Sequence, residues 1–397
     1  MSSAREDLRI LLVVDSLDHG GAEAQVVGLS SALARLGHRP EIACSVEGAL
    51  ASAARAEGIQ VHPLMSHLVK RTASVGYGRV LRSFVRACGP FDVVHAHMYA
   101  SLVAAGYATQ GSGTPLVSTE HSEAKWRGGV ARMLCRRSFR AATAVIAVSE
   151  GIRARLVEQD HVDPQKVVVI PNAVRRRFDG GAPAVHPALA GAPLVGVVAR
   201  LHPDKGVGHL IEAAPLISER LPEARFVVVG EGPELTGLRQ LARQLDVADR
   251  ITFLGYRPDA WEILQTMDVV VVPSISEGTP LVVLEAMQSG IPLVASAAGG
   301  IPEQIVHGRE GLLVPPGDPR AIADAVVRLH ESPALAAALT AAARRRAAAY
   351  DHSAMVTRTE AVYLAAARRG RSVTSRQDVA GPDPRLRPDL GVEAKTR

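Results

Sequence analysis

The sequence predicts an α/β protein built from two successive doubly wound units, each a parallel sheet between layers of helices, facing one another across a cleft. Three observations carry that expectation. Short runs rich in Val and Ile alternate with helical stretches, and buried parallel strands read as near-continuous Val/Ile runs. The alternation breaks once, at DGGAPAVHPALAGAP (179–193), where Gly, Pro and Ala follow no period. It then restarts with a set of similar size, and a 397-residue chain is about twice a typical domain.

In the first unit the strand-like runs are RILLVVDSL (9–17), PEIACSV (40–46), DVVHAHM (92–98), PLVSTEH (115–121), AVIAVS (144–149) and VVVIPNAV (167–174). The stretch AEAQVVGLSSALARLGH (22–38) between the first two reads as a helix stopped at Gly37. The second unit repeats the plan with PLVGVVARL (193–201), ARFVVVGEG (224–232), RITFLGY (250–256), DVVVVPS (268–274), PLVASA (292–297) and GLLVPPGD (311–318). The expected boundaries are residues 1–178, a linker at 179–192, and a second domain at 193–352. A further helix at 353–369 is placed to cross back to the first domain, and the Arg/Pro-rich tail 370–397 is expected to be disordered. Open parallel sheets bind ligands beyond the carboxyl ends of their strands, and the motifs below fall at those ends.

Composition narrows the function classes. Hydrophobic residues make up 47% and charged residues 21%, the balance of a globular chain rather than a disordered one. No apolar run approaches the roughly 18 residues of a membrane-spanning helix. The start, MSSAREDLRILLVVDSL, sets acids ahead of a short apolar run without a small-residue cleavage site, unlike a signal peptide. Three cysteines, Cys44, Cys88 and Cys135, are odd in number and widely spaced, so they make neither a disulfide framework nor a zinc site by themselves. A cytoplasmic protein with free thiols is expected. Net charge is +5, unevenly spread: residues 1–179 carry 22 basic against 16 acidic residues, 180–367 carry 15 against 20, and 368–397 carry 8 against 4. The basic excess on the first unit and the tail suggests an anionic surface or substrate. Nucleic acid is not expected as a partner, because the aromatic platforms that stack single strands amount to 4%.

No G-x-x-x-x-G-K-[ST] occurs, which excludes a P-loop. Gly230 and Gly232 fit a dinucleotide fingerprint, but Leu235 takes the third glycine's place. No D-x-D pair offers carboxylates to a divalent metal. Gly20 and Gly21 stand between a strand and a helix, where backbone amides can approach an anion and the helix adds its positive end; a plain tight turn uses the same residues. Arg200 and Lys205, in VARLHPDKG, pair a fixed guanidinium with a mobile ammonium, which suits a diphosphate; the alternative is two solvated cations.

The strongest local signal is SISEGTPLVVLEAMQSG (274–290). Thr279 is placed to cap a helix that opens with Pro280 and closes at Gly290. The amides of Leu281, Val282 and Val283 would then be available to a phosphate. Glu277 precedes the helix tip and Glu285 lies along its flank; in a largely buried helix Glu285 needs a partner, whether sugar, ribose or an interdomain salt bridge. His95 and His97 end one strand on the same face, and His121 ends the next. Each is either a satisfied core imidazole or a cleft-facing group, and H-x-H alone supports zinc weakly.

GGAE (20–23), HAH (95–97), IPNAV (170–174), the ARLHPDKG loop, GEGPEL (230–235), the E-x(7)-E block and AAGGIPEQIVHGREGLLVPPGDP (297–319) occur in this order. Together, from about residue 10 to residue 365, they resemble family 4 of the retaining glycosyltransferases. The resemblance implies the GT-B fold of two facing Rossmann-like domains, the second holding a nucleotide-sugar donor and the first an acceptor. It implies that Arg200, Lys205 and the amides of the Thr279–Pro280–Leu281–Val282 turn grip the donor diphosphate and stabilise the leaving group. Glu277 would hold the transferred sugar, Glu285 the ribose, and the backbone at Tyr256 and Arg257 the base. Gly20 and Gly21 would close onto the phosphates, His97 would orient the transferred sugar and His121 would lie near the acceptor. Retention, with the donor phosphate taking the acceptor proton and no metal or cofactor, follows from the same resemblance; UDP-sugars are the favoured donors and GDP-mannose the next. The family often has an aromatic residue where Thr279 stands, so the donor-sugar pocket is expected to differ.

The acceptor is expected to be a glycan, glycolipid or lipid-linked saccharide of polysaccharide or cell-envelope synthesis. Residues 125–140, KWRGGVARMLCRRSFR, combine Trp126, Val130, Met133, Leu134 and Phe139 with six basic residues, a pattern suited to anionic lipid at the inner face of the plasma membrane; an ordinary solvated face is the alternative. Two other functions fit the motifs less well: a GT-B-like nucleotide-sugar epimerase, which needs acid/base groups not evident here, and a non-catalytic nucleotide-sugar sensor, which need not keep Arg200, Lys205, Glu277 and Glu285.

Overall fold

The computed structural model describes residues 6–66, 74–122, 128–174 and 192–379. The first sheet contains β1 (Arg9–Ser16), β2 (Arg39–Val46), β3 (Gln60–Pro63), β4 (Val93–His97), β5 (Leu116–Glu120), β6 (Ala144–Ala147) and β7 (Val167–Val169). All its pairings are parallel, in the order β3-β2-β1-β4-β5-β6-β7. Its helices are α1 (Gly21–Arg35), α2 (Leu50–Ala56), α3 (Ser74–Ala87), α4 (Tyr99–Ala108), α5 (Gly129–Ala141) and α6 (Glu150–Glu158). The second sheet, β8 (Leu194–Val198), β9 (Arg225–Val229), β10 (Ile251–Gly255), β11 (Val269–Val272), β12 (Leu293–Ser296) and β13 (Leu312–Val314), is also parallel, in the order β10-β9-β8-β11-β12-β13. It carries α7 (Val207–Arg220), α8 (Leu235–Gln244), α9 (Ala260–Leu264), α10 (Leu281–Ser289), α11 (Ile301–Gln304), α12 (Pro319–Glu331) and α13 (Pro333–Ala347), and the last of the described residues form α14 (His352–Val379). This is the GT-B arrangement of two Rossmann-like domains.

Strand alternation explains the layers. Leu11 and Val13 of β1 enter the core on one sheet face, and Ile10, Leu12 and Val14 enter it on the other. Each such side chain contributes about 1.5–3 kcal/mol through burial. Helix α1 ends as the sequence suggests: Gly37 adopts φ +94°, its amide donates to Ala34, and the His38 amide donates to Leu33, the paired bonds of a left-handed helix stop.

Two boundaries differ from expectation. The strand β3 was not foreseen, because QVHP holds a single strong strand former. Helix α14 runs to Val379 instead of ending at 369. Gly370 lies within it because the helix passes close to the loop before β5: a Cβ there would stand 3.0 Å from Pro115 and 3.3 Å from the Gly113 carbonyl. This helix joins the first domain, burying Met355, Val356, Tyr363, Ala366 and Ala367 in that domain's core. The expected linker at 179–192 falls largely outside the described residues.

In both sheets the strand order reverses beside the first strand, between β1 and β4 and between β8 and β11. A crevice opens at the carboxyl ends there. The segments leaving β1, β8 and β11 carry Gly20–Gly21, Arg200–Lys205 and Glu277–Thr279 respectively, and His97 is the last residue of β4.

Candidate active site

Two helix tips meet across the cleft. Helix α1 begins after Gly20 and α10 after Pro280, and neither start has a side-chain cap. A Cβ on Gly21 would stand 3.6 Å from Leu281, the first residue of α10. The amides of Leu281, Val282 and Val283 belong to the turn of a helix that has no internal acceptor for them. Thr279 is not the cap that the sequence suggested, and Pro280 is not the first helical residue: Pro280 is extended, with ψ 131°, and itself occupies the capping position. The Thr279 hydroxyl instead donates to the Val148 carbonyl at 2.5 Å, tying the two domains together. The close of α10 agrees with expectation, Gly290 adopting the left-handed conformation.

The cations sit beside these tips. Lys205 ends a short turn, Pro203–Lys205, and its ammonium lies 2.7 Å from Glu277 Oε1. The Ser274 hydroxyl donates to the same oxygen at 2.9 Å. Gly206 follows with φ +59°, and a Cβ there would meet the Pro273 carbonyl at 2.2 Å, so the glycine lets the lysine loop pack on the strand-to-helix loop. The Asp204 carbonyl accepts from the Ile275 amide at 2.8 Å and completes that junction. Arg200 is exposed, and its charge acts on Glu23 in the first turn of α1. Burial raises the Glu23 carboxyl above the usual carboxylate range, while its own backbone amide and Arg200 draw it down. Its oxygen packs against Gly20, 2.1 Å from where a Cβ would be.

One residue before Gly20, His19 stacks on Tyr256 of the second domain, with ring centroids 3.3 Å apart and planes 20° from parallel. Arg257 beside it is held by Asp259 through two bonds of 2.7 and 2.6 Å. Glu285 is half-buried on α10.

The histidines form a row at the carboxyl ends of β4 and β5. His95 is satisfied on both sides, by the Tyr363 hydroxyl at Nδ1 (2.5 Å) and the Thr119 hydroxyl at Nε2 (2.8 Å). His97 Nδ1 lies 2.9 Å from His121 Nε2. Their outer atoms, His97 Nε2 and His121 Nδ1, are buried without a hydrogen-bond partner among the described residues. A neutral imidazole has one N–H, so the shared bond makes one outer nitrogen a donor and the other an acceptor. Burial depresses all three basicities, His95 to about 3 and His121 to about 4, with His97 well below its usual value. The rings line a cavity of about 30 Å³, joined by Gln25, Asn172 and Met355; that is room for a water molecule. Among the described residues no cluster of His, Cys, Asp or Glu is arranged as a metal site.

Residues 19–177 match the family described as Glycosyltransferase Family 4, and residues 183–346 match Glycosyl transferases group 1. The chain is 33% identical over 380 residues to a D-inositol 3-phosphate glycosyltransferase of Frankia alni, spanning 85% of this chain and 92% of the relative. The chain belongs to glycosyltransferase family 4.

A putative glycosyltransferase of Bacillus subtilis, EpsF, is 26% identical over 72% of this chain and 79% of its own. Among solved structures, Anabaena Alr3699/HepE in complex with UDP and glucose superposes with a TM-score of 0.79 at 23% identity, covering 90% of this chain and all of that one. A sucrose-phosphate synthase from Thermosynechococcus elongatus superposes at 0.75 with 22% identity, covering 90% and 98%.

In this glycosyltransferase the expected donor-side residues converge: Gly21, Lys205, Glu277 and the tip of α10 share one junction, with Arg200 opposite Glu23. Tyr256 meets the first domain at His19, one residue before Gly20, with Arg257 held beside it by Asp259. Residues passed over in sequence also reach the cleft. His19 lies in a loop with no distinguishing pattern, whereas Glu23, Ser274 and Glu303 were already inside the GGAE, 274–290 and GGIPE segments and lacked an assigned role. On α5, Phe139 is core and Leu134 half-buried against it, so these two do not join an exposed apolar face. Val130 and Met133 are 68% and 60% exposed. Lys125, Trp126 and Arg127 lie outside the described residues.

Proposed function

We propose that this glycosyltransferase moves a sugar, with retention at the anomeric carbon, from a nucleoside diphosphate sugar to a glycan or lipid-linked acceptor. The observation that carries the reading is the meeting of two helix tips, at Gly21 and Leu281, with Lys205 paired to Glu277 just ahead of the second and Arg200 acting on Glu23 at the first. Such a junction supplies oriented amides, two positive dipole ends and two cations to a diphosphate.

Cleavage of the bond between C1 and the terminal phosphate oxygen leaves negative charge on the diphosphate. Arg200, Lys205 and the amides of Leu281, Val282 and Val283 receive that charge. The acceptor hydroxyl attacks C1 from the same face, and its proton passes to the departing phosphate oxygen. Glu277, oriented by Lys205 and Ser274, binds hydroxyls of the transferred sugar; Glu285 binds the ribose; the Tyr256–Arg257 backbone meets the base. The His97–His121 pair offers one donor and one acceptor to the sugar and acceptor side. These protein charges fill the role that a divalent cation plays elsewhere, which supports a reaction without metal.

A uracil nucleotide is favoured because the structurally similar HepE is described with UDP and UDP-glucose. A relative named for D-inositol 3-phosphate widens the acceptor class to polyol phosphates, which suits the basic first domain. Among the described residues no helix is long and apolar enough to cross a membrane. Val130 and Met133 share their face of α5 with exposed Arg137 and Arg140, which supports peripheral contact with anionic lipid.

A thermal-shift screen over UDP-, GDP- and ADP-sugars tests the donor, since a ligand of the folded state raises its melting temperature. A shift with UDP-sugars supports the reading, and no shift with any of them contradicts it. Product analysis with and without acceptor separates transfer from epimerisation or mere binding.

A further inference from the structure

Glu303 lies on α11 in the second domain. Its carboxylate reaches the start of α6 in the other domain, accepting from the Glu150 amide at 2.8 Å and the Gly151 amide at 2.9 Å. The first turn of α6 is thereby fully accounted for: Ser149 accepts from the Ile152 amide at 3.2 Å through its hydroxyl and from the Arg153 amide at 3.0 Å through its carbonyl. Helix α6 thus supplies half of its own cap, and the facing domain supplies the other half.

We propose that Glu303 is the positioning residue that clasps the two domains shut over the donor. This rests on the transferase reading, since a two-domain site is complete only when closed. A carboxylate at a helix N-terminus gains from charge-assisted bonds and from the helix dipole. The clasp is braced: the Glu303 carbonyl accepts from Arg346 at 2.8 Å and from the Tyr350 hydroxyl at 2.9 Å. It also lies next to the site. Gly300, three residues earlier, is packed so closely that a Cβ would stand 2.0 Å from the Gly278 carbonyl and 3.1 Å from Ser149. Engaging α6 therefore presses the Glu277–Thr279 segment between the domains. On opening, water replaces both amide contacts, so the clasp biases closure without locking it.

Variants on either domain test the clasp. Glu303→Ala removes the acceptor. Glu150→Pro removes one donor at the first helical position, where proline is well accepted, and the extended Ser149 before it suits a following proline. Glu150→Ala keeps the amide and serves as control. The probe of closure is small-angle X-ray scattering of the full chain without ligand and with saturating UDP. Glu303→Ala and Glu150→Pro are expected to show a larger ligand-free radius of gyration than the parent and Glu150→Ala, and UDP should restore compactness. In turnover, the donor KM should rise about tenfold with kcat changed less than about threefold, because a smaller binding-competent fraction weakens apparent affinity. Parent-like scattering and KM in both folded variants would overturn the proposal. Opening in Glu303→Ala alone would also overturn it, because the carboxylate would then act elsewhere than on α6. The ligand-free scattering is independent of turnover, so absence of transferase activity in the parent would count against the function and leave the clasp to be judged separately.

Discussion

Acidification should destabilise this protein steeply, and the buried histidine row sets the magnitude. His95 and His97 are 1% and 3% exposed, their ring centroids are 4.0 Å apart, and His97 shares a hydrogen bond with His121. A proton added to any of the rings places charge in a confined site with room for about one water molecule. Burial holds His95 at about 3 and His121 at about 4, and His97 well below its ordinary value, whereas in the unfolded chain each titrates near about 6.5. The folded values are depressed, so below pH 6.5 the unfolded state binds protons that the native state refuses. Stability is therefore complete above that pH and is lost as pH falls, by about 1.4 kcal/mol per pH unit for each neutral histidine. Three together approach about 4 kcal/mol per unit and lose about 5 kcal/mol between pH 6.5 and 5, comparable with the whole stability of many domains. The raised carboxyl of Glu23 works in the opposite sense, its contribution being lost as pH rises. The assay is urea unfolding at half-unit steps from pH 7.5 to 5 for the parent and for His95→Gln, which should lower the slope by about 1.4 kcal/mol per unit. A flat parent profile, or an unchanged slope in the variant, would refute the reasoning.

Other expectations concern the cleft and the surface. Lys205→Ala should reduce kcat by roughly 10²–10³ in steady-state assays, as removal of a leaving-group stabiliser does elsewhere; activity should persist in excess chelator. Thr279→Val removes the bond to the Val148 carbonyl and should weaken UDP binding in calorimetry by about 1–3 kcal/mol, the range for a buried carbonyl left without a donor. In liposome sedimentation, binding should depend on anionic lipid and fall in the double variant Val130→Asp, Met133→Asp; equal binding to neutral vesicles would argue against docking through α5.

Much of the fold was legible because buried parallel strands need unbroken apolar runs, and twelve such runs became strands. The misses have physical causes. In β3, QVHP ends on proline at a sheet edge, where little apolar burial is required. Thr-Pro before LVVLEAM reads as a local cap, but a carbonyl on the other domain captured the hydroxyl, a tertiary outcome that local spacing does not encode. Gly370 reads as a stop, yet it permits close passage over Pro115. The junction of Gly21, Lys205, Glu277 and the start of α10 was legible in part because cations and glycines flank strand ends. The His19–Tyr256 stack and the Glu303 clasp join residues 237 and 153 positions apart, and nothing within either segment announces its partner.

The central claim, that protein cations and helix tips bear the charge of a departing diphosphate, is tested most directly by a crystal structure with UDP. The account predicts both phosphorus atoms at the Gly21–Leu281 junction, with phosphate oxygens about 3 Å from the Leu281–Val283 amides and the Lys205 ammonium. Phosphates seated away from both that helix tip and the 200–205 loop would contradict it.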